Sequence, residues 1–283
     1  MDLMSMAERT MDKILGPRSL GSMLAETFQI YRTNSVRLLA IVAIMEIALR
    51  FMWSIPDFSG LRPLLEEGKT ESLGYLIPVG IALLVASIMG LSLMQGALIH
   101  GISEQYLRQP IRIGRALRFA WERLASMAGS MLLALFIVMG IVMVSIGLPV
   151  NFASKTGYLF VTAGFCVSVY LLVCWSFILQ AVLLENVNPL AAISRSTSLV
   201  RNNWWRVLYM TIAVGLITVA ISLIIGAVPT IGPALGNILS TPVFTIGITL
   251  LYYDLRVRKE EYGLDDLAEE LHISEPSDDT QQT

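Results

Sequence analysis

The stretch MAGSMLLALFIVMGIVMVSIGL, residues 127–148, contains no charged side chain and is long enough to cross a lipid bilayer as a single helix. A transmembrane helix needs about 20 predominantly apolar residues. Other apolar runs of similar length occur at 38–55, 75–99, 158–184, 207–228 and 232–253. The pattern therefore predicts an all-α, polytopic membrane protein with six transmembrane helices.

The composition favours the same class. Hydrophobic residues make up 55% and charged residues 15% of the 283 residues, and the mean hydropathy is +0.66. Soluble domains carry about 25% charged residues. We expect a cytoplasmic N-terminus over 1–37, a membrane domain over 38–253 and a cytoplasmic tail over 254–283, with no sizeable soluble domain. Residues 1–37 lack the apolar core of a cleaved signal peptide, so the first run is expected to act as the insertion signal.

Lysine and arginine are distributed unequally between the segments that flank the runs. Sixteen of them fall in 1–37, 100–126, 185–206 and the start of the tail. The alternate segments contain only Arg62, Lys69 and Lys155. Because basic loops remain on the cytoplasmic side, this asymmetry predicts a plasma-membrane protein with both termini in the cytoplasm.

Three of the basic segments are predicted to be helices that lie in the membrane interface. Apolar side chains recur at helical spacing on one face, opposite polar and basic ones, in residues 19–32, 111–124 and 190–201. Asn188 precedes Pro189 and is the predicted N-cap of the third helix. Since two apolar runs follow each segment, the expected architecture is three hairpins of transmembrane helices, each preceded by a cytoplasmic amphipathic helix.

The first and third units share a motif where the surface helix meets the following run. The pattern R-x-N-x-x-R-x-L occurs at Arg32, Asn34, Arg37 and Leu39, and again at Arg201, Asn203, Arg206 and Leu208. We interpret the three units as copies of one module, an arrangement that is common in transport folds. The alternative is that any cytoplasmic loop before a transmembrane helix is basic and amphipathic.

Three stretches also resemble a known family. They are RSLGSMLAETFQIYR at 18–32, the segment from Leu184 to Leu208, and YYDLRVRKE at 252–260. Together they are similar to the glycerophosphoryl diester phosphodiesterase membrane domain family. The resemblance implies a six-span protein of a bacterial or archaeal plasma membrane. The hydrolase activity in the family's name belongs to a separate soluble barrel of about 250 residues, and this chain has no region that corresponds to it.

Glu46 and Arg50 are candidate site residues within the first run. Glu46 lies about 13 Å beyond Arg37 along a helix axis, which is close to the middle of the bilayer. Arg50 follows four residues later, so both side chains share one face and can pair. Ionisable groups at this depth face a bundle interior or a water-filled cavity, which favours a substrate, ion or proton site. The alternative is a self-neutralised pair that holds helices together.

The sixth run contains a weaker candidate. Its polar side chains are Asn237, Ser240, Thr241 and Thr245, and Pro242 interrupts the helical hydrogen bonding beside them. Interrupted helices line binding sites in some transporters, although proline is ordinary in membrane helices. Glycines that permit close helix packing, within one chain or between chains, are Gly90, Gly96, Gly215, Gly226, Gly236 and Gly247.

The basic helices indicate anionic lipid head groups as a partner, in addition to the bilayer itself. Nucleic acid is not expected, because an apolar run follows each basic helix at once. The arginines predicted to contact head groups are Arg32, Arg37, Arg112, Arg115, Arg195, Arg201 and Arg206.

Residues at the edges of the runs carry two further predictions. Glu185 and Asp254 end the fourth and sixth runs and are predicted to pair with Arg195 or Arg206, which would fix the surface helices to the bundle. The aromatic residues predicted to form a belt at the cytoplasmic interface are Trp121, Trp204, Trp205, Tyr252 and Tyr253.

Three signals bear on function. No metal or cofactor is expected, since His100 and His272 are the only histidines and neither has a second ligand at metal spacing. No nucleophile elbow or phosphate loop is recognisable, so we expect no enzymatic activity. From Glu260 the tail is acidic, with a short helix expected at 264–271 and a disordered end, and this tail is a candidate binding site for a protein partner.

These observations favour a non-catalytic scaffold, assembly or lipid-engaging component of the plasma membrane. The alternative is a small transporter or channel that uses Glu46 and Arg50.

Overall fold

The computed structural model describes residues 19–54, 70–107, 109–151, 155–260 and 264–271, and within them the chain forms ten helices and no strand. The helices are α1 (Leu20–Ser54), α2 (Thr70–Tyr106), α3 (Ile113–Glu122), α4 (Leu124–Asn151), α5 (Lys155–Cys174), α6 (Ile178–Glu185), α7 (Pro189–Val200), α8 (Trp204–Gly226), α9 (Gly232–Glu260) and α10 (Leu264–Glu270). The predicted all-α class is confirmed. The disorder predicted for the end of the tail lies outside the described residues.

Five segments are long and apolar enough to cross a membrane, which indicates a multi-pass membrane protein. They are Ile77–Tyr106, Leu124–Gly147, Tyr158–Glu185, Trp204–Gly226 and Gly232–Glu260. The prediction of six spans is not confirmed, because the first run is not among them. Three charged side chains, Arg37, Glu46 and Arg50, fall within the last part of α1, and its description ends at Ser54.

α9 is the central helix of the bundle. Its residues 243–256 are buried with the exception of Phe244, and it packs against α1, α2, α7 and α8. α4 packs against α5, and α1 packs against α2. The outer surfaces of α4, α5 and α8 expose large apolar side chains such as Phe136, Phe165 and Leu216. An exposed apolar surface of this extent is typical of a protein that contacts lipid.

The closely packed core lies at one end of the bundle, which we call the polar end. It is formed by the last turns of α2, α6 and α9, the first turns of α1 and α8, and the short helices α3 and α7. Fully buried apolar side chains in this region include Met23, Ile102, Leu184, Leu199 and Tyr253. The short helices bury small residues against the bundle, among them Ala116 and Ala120 of α3 and Ala192 of α7.

A residue with the same non-helical backbone conformation precedes each of three long helical segments. These residues are Asn34 (φ −119°, ψ 16°), Arg123 (φ −109°, ψ 7°) and Asn203 (φ −125°, ψ 21°). Such bridge-region angles are sparsely populated. Asn34 and Asn203 occupy the matching positions of the repeated sequence motif. The helix predicted over 19–32 therefore continues into the first apolar run as α1, with its break at Asn34.

Two local predictions are confirmed. Asn188 caps α7, because its side-chain oxygen accepts a hydrogen bond from the Ala191 N–H at 3.0 Å, and Pro189 is the first helical residue. A short helix, α10, forms in the tail at Leu264–Glu270, and it buries Leu267 and Leu271 against the bundle. This part of the tail is therefore a component of the folded core.

Four of the six glycines predicted to permit close packing do so within one chain. A Cβ atom at Gly236 on α9 would lie only 3.1 Å from the carbonyl oxygen of Ser222 on α8. Three more glycines leave room in this way for neighbouring side chains: Gly90, Gly96 and Gly247. A Cβ atom at either of the other two would meet no neighbouring atom within 4 Å: Gly215 and Gly226.

Candidate functional site

Three carboxylates lie at the polar end, near the ends of α2, α6 and α9. They belong to Glu104, Glu185 and Asp254, whose side chains are 0%, 14% and 1% exposed. Burying an ionised carboxylate is costly unless a cation and hydrogen-bond donors compensate for the lost water. Each of the three has an arginine partner from a different helix. The polar end is therefore built around three carboxylates that are each paired with an arginine, and the arginine side chains are more exposed than the carboxylates, at 41%, 27% and 22%.

Glu185, the last residue of α6, pairs with α7. The Nε of Arg195 donates to its Oε2 at 2.6 Å, and the same guanidinium donates through Nη2 to Glu260 at the end of α9, also at 2.6 Å. Burial alone would lower the pKa of Arg195, but the hydrogen bonds to Glu260 and Glu185 outweigh burial and raise that pKa above its ordinary value. Arg195 therefore stays charged and joins α6, α7 and α9.

Asp254, near the end of α9, pairs with the start of α8. The Nη2 of Arg206 lies 2.9 Å from its Oδ2, and Arg258, one turn further along α9, donates from Nε to the same oxygen at 2.9 Å. Two guanidinium groups thus compensate one buried carboxylate. Together with the Glu185–Arg195 pair, this contact confirms the prediction that the acidic ends of the fourth and sixth runs hold arginines of the surface segments.

Glu104, on α2, lies beneath α3. Its Oε2 accepts a hydrogen bond from the backbone N–H of Arg112 at 3.1 Å, and its Oε1 is 3.3 Å from Nη1 of Arg115. His100, one turn earlier, places Nδ1 4.0 Å from the carboxylate and packs its ring against Phe119. Sequence reasoning missed Glu104. The available signal was its position, since it is the first acidic residue after the second run, as Glu185 and Asp254 are after the fourth and sixth.

Consecutive residues of α9 connect the central helix to three others. The Tyr252 hydroxyl donates to Glu185 of α6 at 2.5 Å, the Tyr253 hydroxyl shares a hydrogen bond with Ser103 of α2, and Asp254 reaches α8. Successive helical side chains point about 100° apart, so three in a row reach different neighbours. Tyr252 and Tyr253 are 0% and 1% exposed. The prediction that they belong to an interfacial belt is therefore wrong.

Arg256, two residues further along α9, holds the short helix α10. Its Nη1 donates to both carboxylate oxygens of Glu270, at 2.8 and 3.1 Å, and its Nε donates to Glu260 at 3.2 Å. Leu267 and Leu271 add apolar contacts to the same core. α10 is thus attached to the bundle by two leucines and by one carboxylate, both oxygens of which accept hydrogen bonds from Arg256.

A cavity of about 440 Å³ remains between α10 and the bundle. Arg256 and Arg123 line its inner side, and carboxylates of α10 line the other. The Nε of Arg123 donates to the side-chain oxygen of Asn186 at 3.1 Å, and its guanidinium lies 4.1 Å from the Phe119 ring centroid. Burial lowers the pKa of Arg123, an effect that neighbouring Glu122 opposes. Among the described residues, no carboxylate lies within ion-pairing distance of Arg123.

Glu46 and Arg50 lie side by side on α1. The Nη2 and Nε of Arg50 are 2.7 and 2.9 Å from Oε1 of Glu46, and the side-chain amide of Asn237 on α9 donates to the same oxygen at 3.3 Å. Glu46 is 14% exposed and Arg50 47%. The carboxylate is therefore satisfied from within the chain and links α1 to α9. A substrate or ion role for the pair stays a prediction.

The other polar residues of the sixth run also make contacts between helices. Ser240 accepts a hydrogen bond from Ser222 of α8 at 2.9 Å, and Thr245 donates to Gln95 of α2 at 2.8 Å. Thr245 also donates to the Thr241 carbonyl within α9. α9 runs through Pro242 as one helix in spite of the missing N–H.

The arginines predicted to contact lipid divide into two groups. The side chains of Arg115, Arg195 and Arg206 are engaged with the buried carboxylates. The side chains of the other four are exposed and pair with none of these carboxylates, and we call them the exposed arginines: Arg32, Arg37, Arg112 and Arg201. Arg115 is also 41% exposed, but it belongs to the first group through its contact with Glu104. Of the residues predicted for the aromatic belt, Trp121 and Trp205 are each 64% exposed.

No group of three or more histidine, cysteine or carboxylate side chains within the described ranges is arranged to hold a metal ion. His100 and Glu104 come closest, but they offer two ligands where a structural site typically needs about four. His272 lies outside the described residues. The absence of a cofactor stays a prediction.

Comparison with known families matches residues 21–252 to the family described as Domain of unknown function (DUF7847). The proposed resemblance to the glycerophosphoryl diester phosphodiesterase membrane domain is wrong, because no family of that name matches the chain. Its motifs, a basic amphipathic segment before an apolar run and a charged stretch after one, are features that unrelated membrane helices share. No curated protein and no solved structure matches the chain.

Proposed function

The chain belongs to the DUF7847 family, and we propose that it is a non-catalytic plasma-membrane component that engages anionic lipid head groups and acts as a scaffold or assembly factor. In this proposal both termini and the polar end face the cytoplasm. The membrane part consists of three helical hairpins, the first of which is formed by α1 and α2. Each hairpin follows an amphipathic surface segment.

The observation that carries the lipid proposal is the division of the arginines at the polar end. Three arginines are held by buried carboxylates and fix the surface helices against the bundle. The exposed arginines remain on the outside, two on α1, one at the start of α3 and one at the end of α7, and Trp121 of α3 and Trp205 of α8 are also exposed. Arginine and tryptophan are enriched where helices meet head groups, and each basic side chain near an anionic surface contributes about 1 kcal/mol.

The backbone supports three copies of one module. Asn34, Arg123 and Asn203 have similar non-helical backbone angles at the junction between a surface segment and a long helix, and Phe177 has them between α5 and α6. Each unit also ends in a carboxylate that binds an arginine of a surface segment or of the helix that follows it. A common ancestry of the three units would account for both features.

Replacing the exposed arginines by glutamine is expected to remove the preference of the protein for anionic lipid. Four basic side chains at about 1 kcal/mol each predict that the preference for phosphatidylglycerol over phosphatidylcholine falls at least about tenfold. The measurement is energy transfer from the protein's tryptophans to dansyl-labelled lipid of either type in proteoliposomes.

The matched control replaces exposed uncharged residues of the same elements, Gln29→Ala and Ser194→Ala, and should leave the preference unchanged. Equal preference in the wild type and the arginine variant, with both correctly folded, would contradict the lipid-engaging function.

A transporter or channel is the second candidate, and one contact favours it. Glu46 joins α1 to α9 at a depth where a carboxylate is rare, and Arg50 beside it is half exposed. A water-filled path along this contact would give the pair access to a substrate or an ion.

The first proposal predicts that single cysteines at positions 46 and 50 are protected from aqueous thiol reagents in membranes. Cys166 and Cys174 are replaced in this experiment, and a cysteine at position 62 serves as the accessible control.

Glu46→Gln is expected to lower the free energy of unfolding by about 1–2 kcal/mol, because Arg50 loses its charged partner. Rapid labelling at 46 or 50, with Glu46→Gln fully stable, would favour the transporter.

A further inference from the structure

We propose that the surface of the bundle beneath α10, which borders the cavity, is a binding site for the head group of an anionic phospholipid, and that α10 covers this site from within the chain. The inference rests on the proposed lipid-engaging function and assigns it a specific site. The four exposed arginines do not line this cavity. The two features can therefore be tested separately.

α10 presents the chemistry of an anionic amphiphile. The carboxylate of Glu270 accepts two hydrogen bonds from Nη1 of Arg256, while Leu267 and Leu271 enter the apolar core with 0% and 4% exposure. A phosphate group offers oxygens for the same charge-assisted hydrogen bonds, and the first carbons of acyl chains can fill the space of the leucines. Free inorganic phosphate would use only the arginine.

The side of the cavity that the bundle forms carries arginines that can bind an anion. Arg123 is half-buried, its Nε is bound to an amide oxygen, and it forms no ion pair with a described carboxylate. Arg256 is 9% exposed, and it shares its partner Glu260 with Arg195. Without α10, the three positive charges of these arginines exceed the two negative charges of Glu185 and Glu260. With α10 in place, its added carboxylates make the net charge of this region negative.

The position of the cavity favours a lipid over a soluble ligand. Leu184 and Glu260 line it, and they lie at the ends of the candidate spans Tyr158–Glu185 and Gly232–Glu260. Residues at the ends of spans lie at the level of the head groups.

α10 is short enough to leave. It has seven residues, and isolated helices of fewer than about 12 residues are marginal in water. Docked and undocked forms are therefore expected to exchange, and a ligand that binds only the undocked form shifts the equilibrium towards it. The apparent affinity of the site is the intrinsic affinity multiplied by the fraction of molecules in which α10 is undocked.

The test is Leu267→Asp in the full chain, which places a charge at a fully buried position and should release α10. We expect the association of dansyl-phosphatidylglycerol, measured against dansyl-phosphatidylcholine in proteoliposomes, to rise by about threefold or more. Leu190→Asp, at an exposed leucine of the polar end, is the matched control and should give no rise. Faster hydrogen exchange over 264–271 verifies that α10 has been released.

Two further variants make the result specific. Adding Arg123→Gln to Leu267→Asp should cancel the gain, because Arg123 lines the cavity and holds no buried carboxylate. A synthetic peptide of residues 264–271 added in trans should also reduce it. A gain that survives Arg123→Gln, or no gain despite released α10, overturns the inference. Binding of the peptide without binding of labelled lipid overturns it too, since the site would then accept an acidic peptide.

The same assay separates this inference from the general function. If the exposed arginines govern the lipid preference and Leu267→Asp has no effect, the site beneath α10 fails and the lipid-engaging function stands. If Leu267→Asp raises lipid binding and replacing the exposed arginines leaves the lipid preference unchanged, the lipid binds beneath α10 and not at the exposed arginines.

Discussion

Asp254→Asn is expected to lower the free energy of unfolding by about 3 kcal/mol, because it removes the charge from a carboxylate that is 1% exposed and holds two arginines. Arg206 and Arg258 would remain charged without their common partner. Arg206 also joins α8 to the start of α1 through Met23, so its release is expected to loosen three helices. The measurement is denaturant unfolding in detergent micelles, followed by tryptophan fluorescence.

The control for this prediction is Glu122→Gln at the surface. Glu122 pairs with Arg118 at 3.3 Å, but the two side chains are 58% and 84% exposed. Exposed ion pairs contribute about 0–1 kcal/mol, so this variant should unfold almost like the wild type. The double variant Asp254→Asn with Arg206→Gln should recover part of the loss, because it removes an uncompensated charge. Equal stability of Asp254→Asn and Glu122→Gln would show that the polar end does not depend on its buried pairs.

Gly236→Leu is expected to lower the free energy of unfolding by about 3 kcal/mol, through the packing of α8 against α9. A Cβ atom at this position would lie 3.1 Å from the carbonyl oxygen and 3.2 Å from the Cα atom of Ser222. These are backbone atoms, which cannot turn aside as a side chain can. The two helices would have to separate, and the hydrogen bond from Ser222 to Ser240 would be lost. The same unfolding measurement tests this prediction.

Gly215→Leu provides the matched comparison on α8. No atom lies within 4 Å of a Cβ placed there, so leucine should be accommodated on the outer surface. Both substitutions add the same apolar side chain to a transmembrane helix, and therefore any effect of hydrophobicity or helix propensity cancels between them. Equal stability of the two variants would mean that the close approach of α8 and α9 at Gly236 can relax without cost.

The sequence was sufficient for the features that depend on local chemistry. Apolar runs without charge predict helices that can cross a membrane, and five of the predicted runs meet that description. Asn188 before Pro189 predicts a helix cap in the same way. The pairing of Glu185 with Arg195 was also predictable, because the two residues lie on either side of one short connection along the chain.

Features that depend on how helices face one another were not predictable. Tyr252 and Tyr253 lie at a run edge, where an aromatic residue can point to the interface or into the bundle, and only the packing of α9 at the centre decides. Glu104 was overlooked because its partners, Arg112 and Arg115, come from a helix that had been assigned to the membrane surface. The family resemblance failed because its motifs describe a general type of membrane helix.

The contacts of Tyr252, Tyr253 and Asp254 have a consequence for biosynthesis. A ribosome releases α9 after every other long helix, so the partners of these residues on α2, α6 and α8 enter the membrane before α9 exists. Until then Arg206 lacks Asp254, and Glu185 lacks the Tyr252 hydroxyl. A nascent chain truncated before residue 252 therefore lacks these contacts of α9 with three other helices, so we expect the polar end to reach its final packing only after α9 has been released.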